Sequence, residues 1–128
     1  MNSIRRMARV GLAMTAVLVV SITVVAHHSG VEFDNTKVVE LNGTIKEFQF
    51  KNPHTWIQVV VADGKGGNVE WSLEWGSPNS LGRDGYRPST FPPGAKVAVR
   101  FNPMRSGAPA GMFLGAKFQD GKTVGRWE

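Results

Sequence analysis

Residues 41–76 read LNGTIKEFQFKNPHTWIQVVVADGKGGNVEWSLEWG, and this stretch decides the fold. Residues 69–75 alternate apolar and polar side chains, which is typical of a strand with one buried face. Residues 56–61 are rich in β-branched and aromatic side chains, and the link at 62–68 carries Asp-Gly and Gly-Gly turn signals. We therefore expect these two runs to pair as an antiparallel hairpin.

A further strand is expected before the hairpin, over residues 38–50. Its apolar positions change parity between Ile45 and Phe48, and a strand of period two accommodates such a change only with a bulge or a change of sheet face. The Asn42-Gly43 pair suggests a second irregularity, either a bulge or a tight turn. We expect a bulge there, because too few residues precede the pair to form a separate partner strand.

The chain beyond the hairpin completes the list of elements. Ser77 directly before Pro78 predicts a short helix, ending near Gly82 or Gly85. After a proline-rich loop, alternation predicts further strands, which are placed at residues 96–101, at 112–118 and, as a short strand or tail, at 123–127. An all-β domain with one short helix follows, most economically a small five-stranded Greek-key barrel of the OB type. An antiparallel sandwich or an open twisted sheet fits the same list less economically.

The apolar faces of these strands should meet in one core. The predicted inward positions are Ile57, Val59, Val61, Val69, Trp71, Leu73, Trp75, Val97, Val99 and Phe101.

Residues 1–26 have the organisation of an export signal. Arg5, Arg6 and Arg9 form a basic segment, an uncharged apolar run follows, and Ala26 is a suitable residue for cleavage. The alternative is an uncleaved anchor, for which the run is at the short limit of the ~17–25 residues that a span requires. We expect cleavage after Ala26, a single domain over residues 27–128, a periplasmic or secreted location, and no stable membrane span after cleavage.

The composition of the chain excludes several classes of function. The chain has no cysteine, which excludes disulfides, thiol catalysis and thiolate metal sites. Three of the fifteen basic residues and none of the ten acidic ones lie in the leader, so the remainder carries 12 − 10 = +2. This near balance argues against a nucleic-acid partner. No nucleophile elbow or phosphate-binding loop is present, and we expect a protein that is not an enzyme.

The three histidines, His27, His28 and His54, are candidate metal ligands. Cleavage after Ala26 makes His27 the first residue, so that its α-amine and imidazole could chelate one ion, with His28 and His54 adding imidazoles. Cu(II) suits such nitrogen ligands best, and copper is the cofactor we expect if a metal binds. Alternatively, the terminal pair is only solvated and His54 is a polar turn residue.

Two tryptophans, Trp56 and Trp75, are candidate ligand-binding residues, because aromatic rings form stacking surfaces for flat or sugar-like ligands. Packing in the core is the alternative for both. Glu70 and Glu74 lie on the polar face of one strand at a spacing of about 7 Å, which suits either a carboxylate pair or solvated surface charge.

Several motifs together resemble a known family. They are His27-His28-Ser29, Glu32-Phe33-Asp34, Gly43-Thr44-Ile45, Asn52-Pro53-His54-Thr55-Trp56, Gly76-Ser77-Pro78-Asn79 and Gln119-Asp120-Gly121-Lys122. The chain is similar to small secreted bacterial proteins of unknown function with an Ala-His-His-Ser signal junction and an Asn-Pro-His-x-Trp turn. The resemblance implies export and a small β-rich domain, and the family brings no established activity.

Two functions remain open at this point. The first is an exported periplasmic binding module for an unidentified small ligand, with Cu(II) bound through the N-terminal histidines. The second is a metal-free domain that interacts with an unknown envelope protein through its strand edges and its Gly- and Pro-rich loops.

Overall fold

The structure is a computed structural model that describes residues 32–128 of the 128-residue chain. The predicted signal segment and its cleavage point, and with them His27 and His28, lie outside the described residues. The elements are β1 (Val39–Gln49), β2 (Trp56–Ala62), β3 (Asn68–Glu74), α1 (Pro78–Arg83), a 3-10 turn (Pro88–Thr90), β4 (Lys96–Pro103), β5 (Ala110–Phe118) and β6 (Thr123–Gly125).

Five of the strands close into a barrel. β1, β2 and β3 form an antiparallel meander, β4 pairs with the other edge of β1, and β5 pairs antiparallel with β4. The barrel closes where β5 runs parallel to β3, with Leu73 opposite Gly111. The ring order β1-β2-β3-β5-β4, with α1 between β3 and β4, is OB-like and confirms the predicted fold. β6 adds a short strand beside β5.

β1 serves two neighbours, and its irregularity is where the change of parity predicts it. The register between β1 and β2 shifts between Ile45 and Glu47, which makes Lys46 the extra residue of a bulge. The expected bulge at Asn42-Gly43 is wrong, because both residues pair regularly with β4. A glycine is needed there for space instead: a Cβ at Gly43 would lie 2.6 Å from the Val60 carbonyl oxygen.

One core fills the barrel, and every predicted inward residue except Val69 belongs to it or packs against it. Ile57, Leu73 and Phe101 are fully buried, whereas Trp71 and Trp75 are half-buried and pack against the core. Val69, at the open end of β3, is also only half-buried. Phe91, which the sequence places in the proline-rich loop, is fully buried among aromatic rings of the core.

Helix α1 begins where the Ser-Pro pair predicts. The Ser80 amide donates a hydrogen bond to Ser77 Oγ (3.2 Å), so Ser77 caps the helix, and Leu81 anchors it to the barrel. The helix ends at Arg83, between the two glycines expected to stop it. Among residues 32–128, no helix is long and apolar enough to cross a membrane.

Candidate functional site

The turn between β1 and β2 is tied to the end of β3. The Thr55 amide and hydroxyl both donate to the Gly76 carbonyl at 3.0 Å. The Trp75 amide donates to the Thr55 carbonyl at 2.9 Å. Thr55 itself is fully buried, and the peptide bond before Pro53 is cis. The hydrogen bonds of Thr55 and Trp75 continue the β2–β3 ladder beyond the strands, so the backbone that carries His54 is fixed.

His54 contacts a carboxylate on β3. Its Nδ1 lies in direct contact with Glu74 Oε1, and the Glu74 side chain is 14% exposed against 34% for His54. Glu74 pairs with Trp56 across β2 and β3, which places it diagonally opposite His54. A carboxylate that accepts the hydrogen of one ring nitrogen fixes the orientation of an imidazole, as it does behind metal-binding histidines.

This geometry fits a metal ligand of a particular kind. With Nδ1 directed at Glu74, Nε2 is the nitrogen that would bind an ion. Residues 32–128 contain no group of three or more histidine, aspartate or glutamate side chains able to hold a metal. Within the described chain, His54 is therefore not part of a three-ligand group, and a three-ligand site that includes it requires ligands from elsewhere.

The two candidate tryptophans lie on opposite faces of the sheet. Trp56 is half-buried on the outer face, in register with Glu74 on one side and Gln49 on the other. Trp75 follows Glu74 and points inward, with its ring 4.7 Å from that of Tyr86 and 4.8 Å from that of Phe113. They do not form one stacking surface. Only Trp56 adjoins the His54–Glu74 pair.

The two glutamates of β3 have different partners. Glu70 accepts a hydrogen bond from Lys46 Nζ at 2.6 Å, whereas Glu74 contacts His54. The bond to Glu70 is the main reason that the pKa of Lys46 is raised. Both side chains point outward, but each carboxylate is engaged separately, so the geometry does not form the acid–base pair that the spacing allows.

The first described residues are attached to the loop between β4 and β5. The Arg105 amide donates to the Glu32 carbonyl at 2.9 Å, and Phe33 forms a bridge with Met104. Asp34 accepts from the Thr36 hydroxyl and pairs with Lys37 at 3.2 Å, and these two contacts, in that order, lower the Asp34 pKa to about 2. The arm that leads from the N-terminal histidines is therefore fixed at Phe33 and Asp34.

Sequence reasoning identified His54 but assigned no role to Thr55 and did not connect Glu74 with His54. The register of the β2–β3 hairpin predicts the contact between His54 and Glu74. Pairing residues 56 and 74 fixes the register of β2 and β3, and extending that register by two residues places position 54 opposite position 76. Glu74 is then a diagonal neighbour of His54, within reach of a long side chain.

Comparison with known families gives a match over most of the chain. The sequence model of a family described as "Family of unknown function (DUF6152)" matches residues 14–113. The chain belongs to this family. The DUF6152 match includes β1 to β4 and the turn that carries His54, and it ends within β5. This agrees with the expected resemblance to a family without established activity. Comparison with curated proteins finds no match, and comparison with solved structures finds none.

Proposed function

We propose that this DUF6152 chain is an exported binding module that holds one Cu(II) ion with the His27 amine and imidazole, His28 and His54. The contact between His54 and Glu74 is the observation that carries the proposal, because it orients one ring nitrogen as a donor on the barrel surface. The ion itself would be held by the N-terminal histidines, with His54 completing the set.

The pairing pattern supports the required reach. Ser72 is paired with Ala110, Ala110 is hydrogen-bonded to Met104, and Met104 is paired with Phe33. Ser72 and Phe33 are therefore three strand spacings apart, or about 14 Å. Glu74 lies two residues further along β3, so Phe33 and Glu74 are roughly 16 Å apart. His28 precedes Phe33 by five residues, a length of chain that spans at most about 17 Å. A chain extending from Phe33 is long enough to bring His28 to His54.

The ligand chemistry favours copper over zinc. An α-amine with a pKa near ~7.7 loses its proton readily to Cu(II), and imidazole nitrogens suit the tetragonal geometry of this ion. Because these nitrogen ligands bind only when deprotonated, the affinity for Cu(II) should fall as the pH is lowered. Trp56, which adjoins the pair, would cover one side of the bound ion.

The second candidate is a metal-free interaction domain in the envelope. It is favoured by the outer face around Trp56, where the Ser72 hydroxyl donates to Gln58 at 2.6 Å and the Gln49 amide donates to Glu47 at 3.1 Å. Such a polar face with one large aromatic residue suits a protein partner. The unknown partner would then dock on β1, β2 and β3 without an ion.

Calorimetry with Cu(II) on protein that begins at His27 tests the first function. His54→Ala removes a ligand and should weaken binding by at least about tenfold, and Glu74→Gln should cost about 10–100-fold through loss of the orienting carboxylate. An added Met before His27 keeps every side chain but displaces the amine from the chelate, so affinity should fall sharply.

Glu70→Gln is the matched control, because it removes a carboxylate from the same face of the same strand, four residues from Glu74, and leaves His54 untouched. It should bind copper like the parent. Affinity that is indifferent both to the added Met and to His54→Ala would refute the copper site and leave the metal-free interaction domain as the better account.

A further inference from the structure

An open groove of about 630 Å³ lies on the outer surface, at the end of β2 remote from His54. Its volume is within the range of about 300–1,000 Å³ that small-molecule sites occupy. β2 has seven residues, Trp56–Ala62, so its two ends are roughly 20 Å apart. The polar lining side chains are Asn42, Thr44, Asn68, Lys96, Lys117 and Gln119. The groove is thus a place distinct from the proposed copper site.

The register of the strands explains why the surface is concave. Lys117 lies opposite Ala98, and Ala98 lies opposite Asn42, so the smallest side chain occupies the middle of a row across three strands. In the adjacent row Thr44 lies between Lys96 and Val60. Short side chains flanked by long ones form a floor with raised walls, and Ala98 and Val60 make part of that floor apolar.

The lining of the groove carries two lysines, and no carboxylate of residues 32–128 forms an ion pair with either of them. Lys96 and Lys117 are diagonal neighbours across β4 and β5, a relation that places their Cα atoms about 7–8 Å apart. Neither lysine has an ion-pair partner within residues 32–128, and the lining contains no carboxylate. Ammonium groups carried by such neighbouring residues repel each other, and one anion between them would relieve the repulsion.

Two carboxylates on neighbouring strands form their ion pairs with other cations and not with the lysines of the groove. Glu70, opposite Val60, is paired with Lys46 at 2.6 Å, and Glu40, on the outer face of β1, is paired with Arg100 at 3.0 Å. These acids therefore have their own cations on neighbouring strands. Within residues 32–128 the two lysines have no such acid, and a negatively charged ligand would supply the missing partner.

The remaining polar groups indicate what the anion is attached to. Asn42, Asn68 and Gln119 carry amides that both donate and accept, and Thr44 adds a hydroxyl, so the lining suits hydroxyl groups. Its apolar floor suits the C–H face of a sugar ring. We propose that the groove binds a small anionic sugar, with the phosphate or carboxylate between Lys96 and Lys117 and the hydroxyls on the amide side chains.

Titrations followed by amide chemical shifts test this proposal on the full chain with its natural N-terminus. The probes are glucose 6-phosphate, glucuronate, glucose and inorganic phosphate, without any metal. Glucose 6-phosphate and glucuronate should saturate with Kd of about 1 mM or below and shift amides around Asn42 and Ala98. Glucose and inorganic phosphate should each bind at least about tenfold more weakly, because each supplies only one half of the contacts.

Lys96→Gln and Lys117→Gln should each reduce the affinity for glucose 6-phosphate by about tenfold or more, since each removes a charge-assisted contact. Lys65→Gln, in the β2–β3 turn and outside the lining, is the matched control and should leave the affinity unchanged. Ala98→Leu keeps both charges but fills the floor, and it should abolish binding. Thermal unfolding of each variant checks that the barrel is intact.

Three results would overturn the proposal. Inorganic phosphate binding as tightly as glucose 6-phosphate would show a simple anion site. Affinity unchanged in both lysine variants would place the ligand elsewhere, and no saturable shifts up to about 10 mM glucose 6-phosphate would exclude a sugar site of the proposed strength. None of these outcomes bears on copper, so the failure of either proposal is distinguishable from that of the other.

Discussion

The two ends of β2 carry opposite electrostatic arrangements on one barrel. At the first end, His54 contacts the carboxylate of Glu74, and the buried Thr55 ties their supporting backbone together. At the other end, Lys96 and Lys117 line an open groove without an ion-pair partner within residues 32–128. A side chain held by its neighbour is suited to present a donor in a fixed direction, whereas unmatched charges are suited to receive an opposite charge.

The largest expected effect separates the inner and outer faces at the His54 end. Trp75→Ala should lower the free energy of unfolding by about 3 kcal/mol, because it removes a ring packed against Tyr86 and Phe113. Trp56→Ala, on the outer face, should cost about 1 kcal/mol or less and change mainly ligand binding. Urea denaturation of both variants measures the difference. Equal losses of stability would contradict the assignment of the two rings to opposite faces.

The next effect concerns Gly43, where β1 passes from β4 to β2 and lines the groove. Gly43→Ala places a Cβ 2.6 Å from the Val60 carbonyl oxygen and 2.7 Å from Val59 Cγ1. We expect a loss of about 1–3 kcal/mol from this overpacking.

Gly82→Ala is the control for Gly43→Ala. A Cβ at Gly82 meets no atom within 4 Å, and the residue lies in helix α1. Alanine is favoured over glycine inside a helix, so this variant should be neutral or slightly more stable. The midpoint of urea denaturation measures the stability of both variants. A Gly43→Ala protein as stable as the parent would show that β1 does not approach β2 as closely at Gly43 as these distances require.

The smallest expected effect is on the arm that leads toward the proposed copper ligands. The Asp34 pKa is lowered to about 2, chiefly by the Thr36 hydroxyl and then by Lys37. The anchoring by this carboxylate is therefore fully present above the ordinary pKa of 3.8 and is lost as the pH falls through about 2. Acid titration by NMR should show the Thr36 amide signal changing in that window. In Asp34→Asn this change should be absent, and a Thr36 transition in that variant as well would assign it to another group.

Much of the fold was predictable because its signals are local. Alternation places the strands, the Ser-Pro pair places α1, and the change of parity in β1 places the bulge at Lys46. Strand ends were less predictable: β4 extends to Pro103 and β5 begins at Ala110 because backbone pairing with neighbouring strands continues beyond the alternating residues. Phe91 was assigned to a loop because prolines define that segment locally, whereas its burial arises from the aromatic rings of distant strands.

The candidate site was predictable in its residue types and less so in its contacts. His54 stands out because the chain has only three histidines. Its contact with Glu74 depends on the register of the hairpin, and a strand pattern alone does not distinguish Glu74 from Glu70. The lysine groove depends on neighbours from five strands, with Ala98 between two longer side chains, so it has no signature in any continuous stretch.

The central claim is that the exported chain begins at His27 and holds one copper ion with His54. Native mass spectrometry of the exported protein, prepared with and without Cu(II), tests both parts together. The expected result is the mass of residues 27–128 with one copper ion when Cu(II) is supplied, and the same polypeptide mass alone when it is withheld. A start more than a couple of residues away from His27, or no more copper retained by this protein than by its His54→Ala variant, would contradict the account.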